Sequence, residues 1–130
     1  MRFSSDGLVS LWVGQFASVA DLDQYIDFVF DEDGNAASAF SSTSGMGWFD
    51  HDTQEAAYLG EQPQDPQELL SRFSHGPSFA QVAATAISEG TCKEWNSVVL
   101  LYDCAYNPSR GHPSQSCRLT FVGAFPYARA

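Results

Sequence analysis

The sequence predicts an α+β fold: an antiparallel sheet of about four strands with two or three helices packed against it, in a single domain spanning residues 1–130. Three observations carry this expectation. Runs rich in β-branched, aromatic and aliphatic residues stand at 8–13, 55–59, 97–102 and 117–125. Helix-start signals with apolar residues at helical spacing fall between them. No repeat, linker or low-complexity tract divides the chain.

The first run, Leu8-Val9-Ser10-Leu11-Trp12-Val13, ends at Gly14 and reads as a strand. Ser18 then caps a helix, with Asp21 at its third position as a short capping box. Val19, Leu22, Tyr25 and Ile26 give that helix a buried face, and Asp21, Asp23 and Asp27 its polar side. Phe28-Val29-Phe30 continues apolar into a turn, Asp31-Glu32-Asp33-Gly34-Asn35. Residues 36–47 are small and polar, with a short helix expected over Ala36 to Ser42.

Glu55 to Leu59 makes a second strand. Asp65-Pro66-Gln67-Glu68 opens a helix running to Phe73, with Asp65 as cap and Glu68 returning to it. A further helix is expected from about Ser78 to Glu89, burying Phe79, Val82, Ala83, Ala86 and Ile87 and ending on a left-handed Gly90. Ser97 to Tyr102 is apolar on both alternating faces. That marks a central strand covered on both sides, or by helices on one side and a loop on the other. After the turn-rich 107–114 segment, Leu119, Phe121 and Phe125 fall on one face of a last strand, which is expected to pair with its predecessor as a hairpin.

Composition supports a packed core: 44% of residues are hydrophobic and 14% aromatic, with only 17% charged. A chain of this size buries roughly two-thirds of the surface its unfolded form exposes. The charge is lopsided. Residues 1–70 hold thirteen Asp and Glu against one basic residue, Arg2, whereas residues 71–130 hold five basic residues against three acids. Such a field repels nucleic acid and anionic membrane, and it speeds encounter with basic proteins.

Cys92, Cys104 and Cys117 are an odd number at irregular spacing, with no zinc pattern. They read as reduced structural thiols; a Cys104–Cys117 bridge would require an oxidising compartment. The apolar stretch near the start, Leu8 to Val13, is too short for a signal peptide or membrane span, so the expected compartment is the cytoplasm.

Catalytic motifs are absent: the sequence has no GxSxG, HExxH, P-loop or GxGxxG. His51-Asp52 could pair as base and orienting carboxylate, but adjacent residues on an extended strand point to opposite faces. Asp31-x-Asp33-Gly34-Asn35 resembles a fragment of a calcium loop, with Phe40 where the bidentate Glu would stand. No catalytic residue, metal ligand or cofactor is therefore assigned. What is left is a set of aromatics interleaved with carboxylates: Asp31, Glu32, Asp33, Trp48, Asp50, Asp52 and Tyr58. Rings supply contact area and acids select a basic partner. Trp48 and Phe49 could equally be core residues.

A family resemblance joins these signals. Val9-Ser10-Leu11-Trp12-Val13-Gly14-Gln15-Phe16, the Asp21-Leu22-Asp23-Gln24-Tyr25-Ile26 helix and Asp31-Glu32-Asp33-Gly34 resemble the opening of the immunity protein 22 family. Asn96 to Tyr102 and Leu119-Thr120-Phe121-Val122-Gly123 resemble its final strands. The resemblance implies a protein encoded beside a bacterial polymorphic toxin, which protects the producing cell by binding the toxin domain. Many such toxins are nucleases, whose sites are basic because they bind phosphate.

The leading expectation is thus an intracellular immunity protein that occludes a basic, nuclease-type toxin with its acidic half. Asp31, Glu32, Asp33, Asp50 and Asp52 would steer and pair, with Trp48 and Tyr58 as anchors. The alternatives are a small carboxylate- or metal-dependent hydrolase and a general protein-binding adaptor.

Overall fold

The computed structural model describes residues 3–60, 65–90, 92 and 94–128. In chain order the elements are β1 (Ser4–Gly14), α1 (Val19–Ile26), β2 (Val29–Phe30), β3 (Ala36–Ala37), α2 (Ala39–Thr43), β4 (Gln54–Tyr58), α3 (Pro66–Ser71), α4 (Ala80–Glu89), β5 (Ser97–Cys104), the short turn α5 (Pro108–Gly111) and β6 (Leu119–Pro126). Four strands form one antiparallel sheet in the order β4-β5-β1-β6. A separate two-stranded ladder joins β2 to β3.

This is the α+β architecture expected, with one topological correction. β5 and β6 do not form a hairpin. β1 lies between them and pairs with both, Leu11 opposite Leu100 on one side and Gly123 on the other. The connection through α5 therefore crosses over β1. The apolar opening strand has two buried edges to satisfy, which is why it takes the centre.

Both faces of the sheet are covered, as the unbroken apolar run of β5 requires. On one face Trp12, Val99, Leu101 and Leu119 pack with Leu22, Tyr25 and Ile26 of α1, Phe40 of α2, and Met46 and Phe49. On the other Val9, Leu11, Val13, Val98 and Leu100 pack against Leu69 and Leu70 of α3 and Phe79, Ala80, Ala83 and Ile87 of α4. Where the chain must cross close to itself it uses glycine. Gly45 has φ +75° and its missing Cβ would sit 1.7 Å from the Gly111 carbonyl oxygen.

Irregularities in the sheet reassign several side chains. The β1–β6 register slips by one residue between Leu11–Gly123 and Trp12–Phe121. Phe121 consequently packs beside Trp12, while Phe125 belongs to the α3–α4 face rather than sharing a face with Phe121. α4 begins at Ala80, after a 3-10 turn at Gly76–Ser78, and turns Ala80, Ala83, Ala84 and Ile87 inward. Val19 of α1 and Val82 of α4, both expected inside, are exposed. Gly90 has φ −72° rather than a left-handed conformation. The 36–42 stretch splits: Ala36 and Ala37 make β3, and α2 starts only after a Ser38–Ser41 capping box.

The α1 cap is as expected, with the Asp21 N–H donating to Ser18 Oγ at 3.1 Å. Asp65 caps α3 through the Gln67 N–H, but Glu68 pairs with Arg72 at 2.8 Å instead of returning to the cap. All three cysteines are free thiols.

Candidate partner-binding surface

Five large hydrophobic side chains are exposed among the described residues, and three of them belong to two acidic segments. The first segment is the β2–β3 hairpin. Its turn is built by Asp31, whose Oδ1 accepts the N–H groups of Asp33 and Asn35 at 2.9 Å each. Gly34 completes it at φ +83°. Asp31, Glu32 and Asp33 are all exposed at the tip. Just behind them Val29 is 69% exposed and Phe30 71% exposed.

The second segment is residues 48–53. Asp50 caps a single 3-10 turn, its Oδ1 accepting the Asp52 N–H at 3.0 Å. Trp48 is 59% exposed and Phe49 fully buried, so of the two neighbours only Phe49 is a core residue. Asp50, His51 and Asp52 are exposed, and one donor atom from each lies within 4.8 Å of the others. Because the segment turns rather than extends, His51 Nε2 does approach Asp52 Oδ1, at 3.6 Å. That corrects the reading in which an extended backbone keeps them apart. The pair is solvated on the surface.

Phe28 ties the two segments together. Its ring meets Phe49 edge-on at 4.9 Å and lies 5.9 Å from the His51 ring. Phe49 in turn packs on Phe40, which meets Trp12 at the centre of the sheet. The root of the hairpin is thereby anchored in the core beside the 3-10 turn that carries Asp50 and Asp52.

Tyr58 stands apart from these segments. It lies at the far end of β4 from the 3-10 turn, packed half-buried against the core, with its hydroxyl donating to the Ala17 carbonyl at 3.2 Å. Its ring and hydroxyl are already engaged within the protein. Val29 and Phe30, by contrast, were not singled out by sequence reasoning. Their signal was present: two apolar residues before an Asp-x-Asp-Gly turn and two alanines after it spell a short hairpin.

Elsewhere two ion pairs form among the described residues, Arg72–Glu68 and Arg118–Asp21, while Asp23, Asp27 and Glu89 are further exposed acids. Arg118 grips Asp21 through two hydrogen bonds, at 3.0 and 2.8 Å, and stacks 4.2 Å over the Phe16 ring. The Arg118 hydrogen bond, with the Ala17 N–H second, holds the Asp21 carboxyl down at about 2. On the opposite face, burial and then the Glu55 carboxylate push the Tyr102 hydroxyl well above its ordinary range. That tyrosine sits among His75, Phe79 and Tyr127 in an aromatic packing cluster. No Lys or Arg occurs between residues 3 and 71. The basic residues Arg2, Lys93 and Arg129 lie outside the described residues.

Fold and surface together describe a small α+β domain with exposed apolar side chains beside exposed carboxylates. The family model for Immunity protein 22 matches residues 9–128, and the chain belongs to that family. It is thus a toxin-neutralising immunity protein. No curated protein and no solved structure gave a significant match. No helix among the described residues is long and apolar enough to cross a membrane.

Proposed function

We propose that this immunity protein neutralises a basic, nuclease-type toxin domain in the cytoplasm of the producing cell, by occluding it with the acidic surface of these two segments. Asp31, Glu32, Asp33, Asp50 and Asp52 steer the toxin and pair with its cations. Trp48 is the aromatic anchor. Tyr58, with its hydroxyl on the Ala17 carbonyl and its ring against the core, is left out of this surface. The protein acts by occupying the toxin's site and performs no reaction.

One observation carries this reading. The Phe28–Phe49 contact joins the root of one acidic segment to the start of the other, in a stretch with no Lys or Arg between residues 3 and 71. The exposed carboxylates of the hairpin tip and the 3-10 turn offer negative charge to a site built to bind phosphate. Opposite charge raises the encounter rate and orients the collision.

The test replaces all five acids by their amides. Asp31→Asn and Asp50→Asn keep an oxygen where each turn needs an acceptor, so the fold should survive. Binding to the toxin domain encoded beside this chain should lose about ten- to a hundredfold in association rate at low salt. The salt dependence should flatten. Unchanged kinetics would remove the steering role.

A further inference from the structure

Successive residues on a strand point to opposite faces of the ladder. In most hairpins one of those faces is therefore buried. In β2 neither is, since Val29 and Phe30 are both about 70% exposed. Their cross-strand partners are alanines, Ala37 and Ala36, too small to cover either side chain. The ladder belongs to no larger sheet. A two-stranded ribbon this short is marginal by itself in water. This one is held by its root at Phe28 and by the Asp31 turn at its tip. It thus projects as a fixed ribbon with an apolar side chain on each face and three carboxylates at its end.

From this geometry we infer that the β2–β3 hairpin inserts into a cleft of the toxin, with Val29 against one wall, Phe30 against the other and Asp31, Glu32 and Asp33 on a basic floor. The inference rests on the proposed toxin-binding role and specifies how the binding is made. A flat partner surface can cover only one face of a ribbon. A cleft covers both. The charge of the tip selects the occupant: the floor must be cationic, and a second copy of this chain, with a net charge of −10, is repelled on balance. The two features divide the work, with apolar contacts on both faces setting how long the complex lasts and the carboxylates setting how fast it forms.

The experiment uses Val29→Ser and Phe30→Ser, singly and together, with the exposed Val82→Ser on α4 as control. The probe is the toxin domain encoded beside this chain, co-produced with it and then separated. Each single substitution should raise the dissociation rate on the order of tenfold, and the pair should raise it further. Association rate and its salt dependence should not move, and Val82→Ser should leave both rates alone. If only one of the two singles matters, the contact is flat and the cleft is overturned, while the acidic docking surface stands. If neither matters, the hairpin is not the inserted element. Wild-type protein that fails to bind the toxin domain at all would overturn the proposed function and the insertion with it. Light scattering guards the remaining case: a wild-type dimer converted to monomer by Phe30→Ser would make a second copy the occupant and contradict the inference.

Discussion

The two ends of the Phe28–Phe49 contact obey different rules. On the Phe49 side, aromatic and aliphatic residues are sealed into a sheet covered on both faces, with Trp12, Phe40 and Phe49 fully buried. On the far side of Phe28, residues of the same chemical type, Val29 and Phe30, stand in water among carboxylates. Burial is the main return a folding chain gets from apolar side chains. This domain buries its other described phenylalanines wholly or partly and leaves Phe30 out on a rooted hairpin, and that ring is the one the proposed insertion uses.

The sharpest way to break this contrast is to truncate on each side of the root. Phe49→Ala should cost about 3–5 kcal/mol of stability, because it leaves a cavity between Phe28, Phe40 and the sheet. Phe30→Ser should change stability by no more than about 0.5 kcal/mol. Thermal unfolding of the two variants side by side checks both, and a comparable loss in each would mean the hairpin is part of the core.

A smaller effect is expected at the loop that supports the buried side. Gly45→Ala forces a left-handed φ on alanine and drives its Cβ toward the Gly111 carbonyl. A cost of about 1–3 kcal/mol follows from the backbone strain alone, readable as a lowered denaturation midpoint. Equal stability would show that the close approach of the two glycines is not maintained in solution.

The smallest effect concerns an acid that lies outside the proposed docking surface. Asp21 ionises at about 2 when folded, against an ordinary value of 3.8, because Arg118 and the Ala17 N–H hold its charged form. A lowered carboxyl pKa contributes stability above the unfolded value, and that contribution is lost as pH falls through the folded one. Asp21→Asn should therefore flatten the acid limb of the stability profile between about pH 4 and pH 2 and leave toxin binding intact. Thermal melts across that range would show it. Weakened toxin binding by Asp21→Asn would extend the functional surface to α1.

These contrasts also mark what the sequence could tell. The four strands, the Ser18 and Asp65 caps and the acid-rich segments were legible because each depends on local pattern: period, cap chemistry and turn composition. The strand order was not, since nothing local says that β1 will slip between β5 and β6. The faces of β6 were misassigned because a one-residue slip opposite Leu11 and Trp12 reverses the alternation. Trp48 and Phe49 are indistinguishable in composition and separate only when Phe28 and Phe40 claim one of them. Tyr58 reads as an anchor until the Ala17 carbonyl takes its hydroxyl. Val29 and Phe30 were passed over for the opposite reason, because apolar residues next to a helix look like core.

Hydrogen exchange on the complex with the neighbouring toxin domain tests the central claim most directly. Amides of residues 28–37 and 48–53 should gain protection on binding, while those of α3 and α4 stay as they are in the free protein. Protection that falls on the α3–α4 face and leaves the two acidic segments exchanging freely would contradict the account.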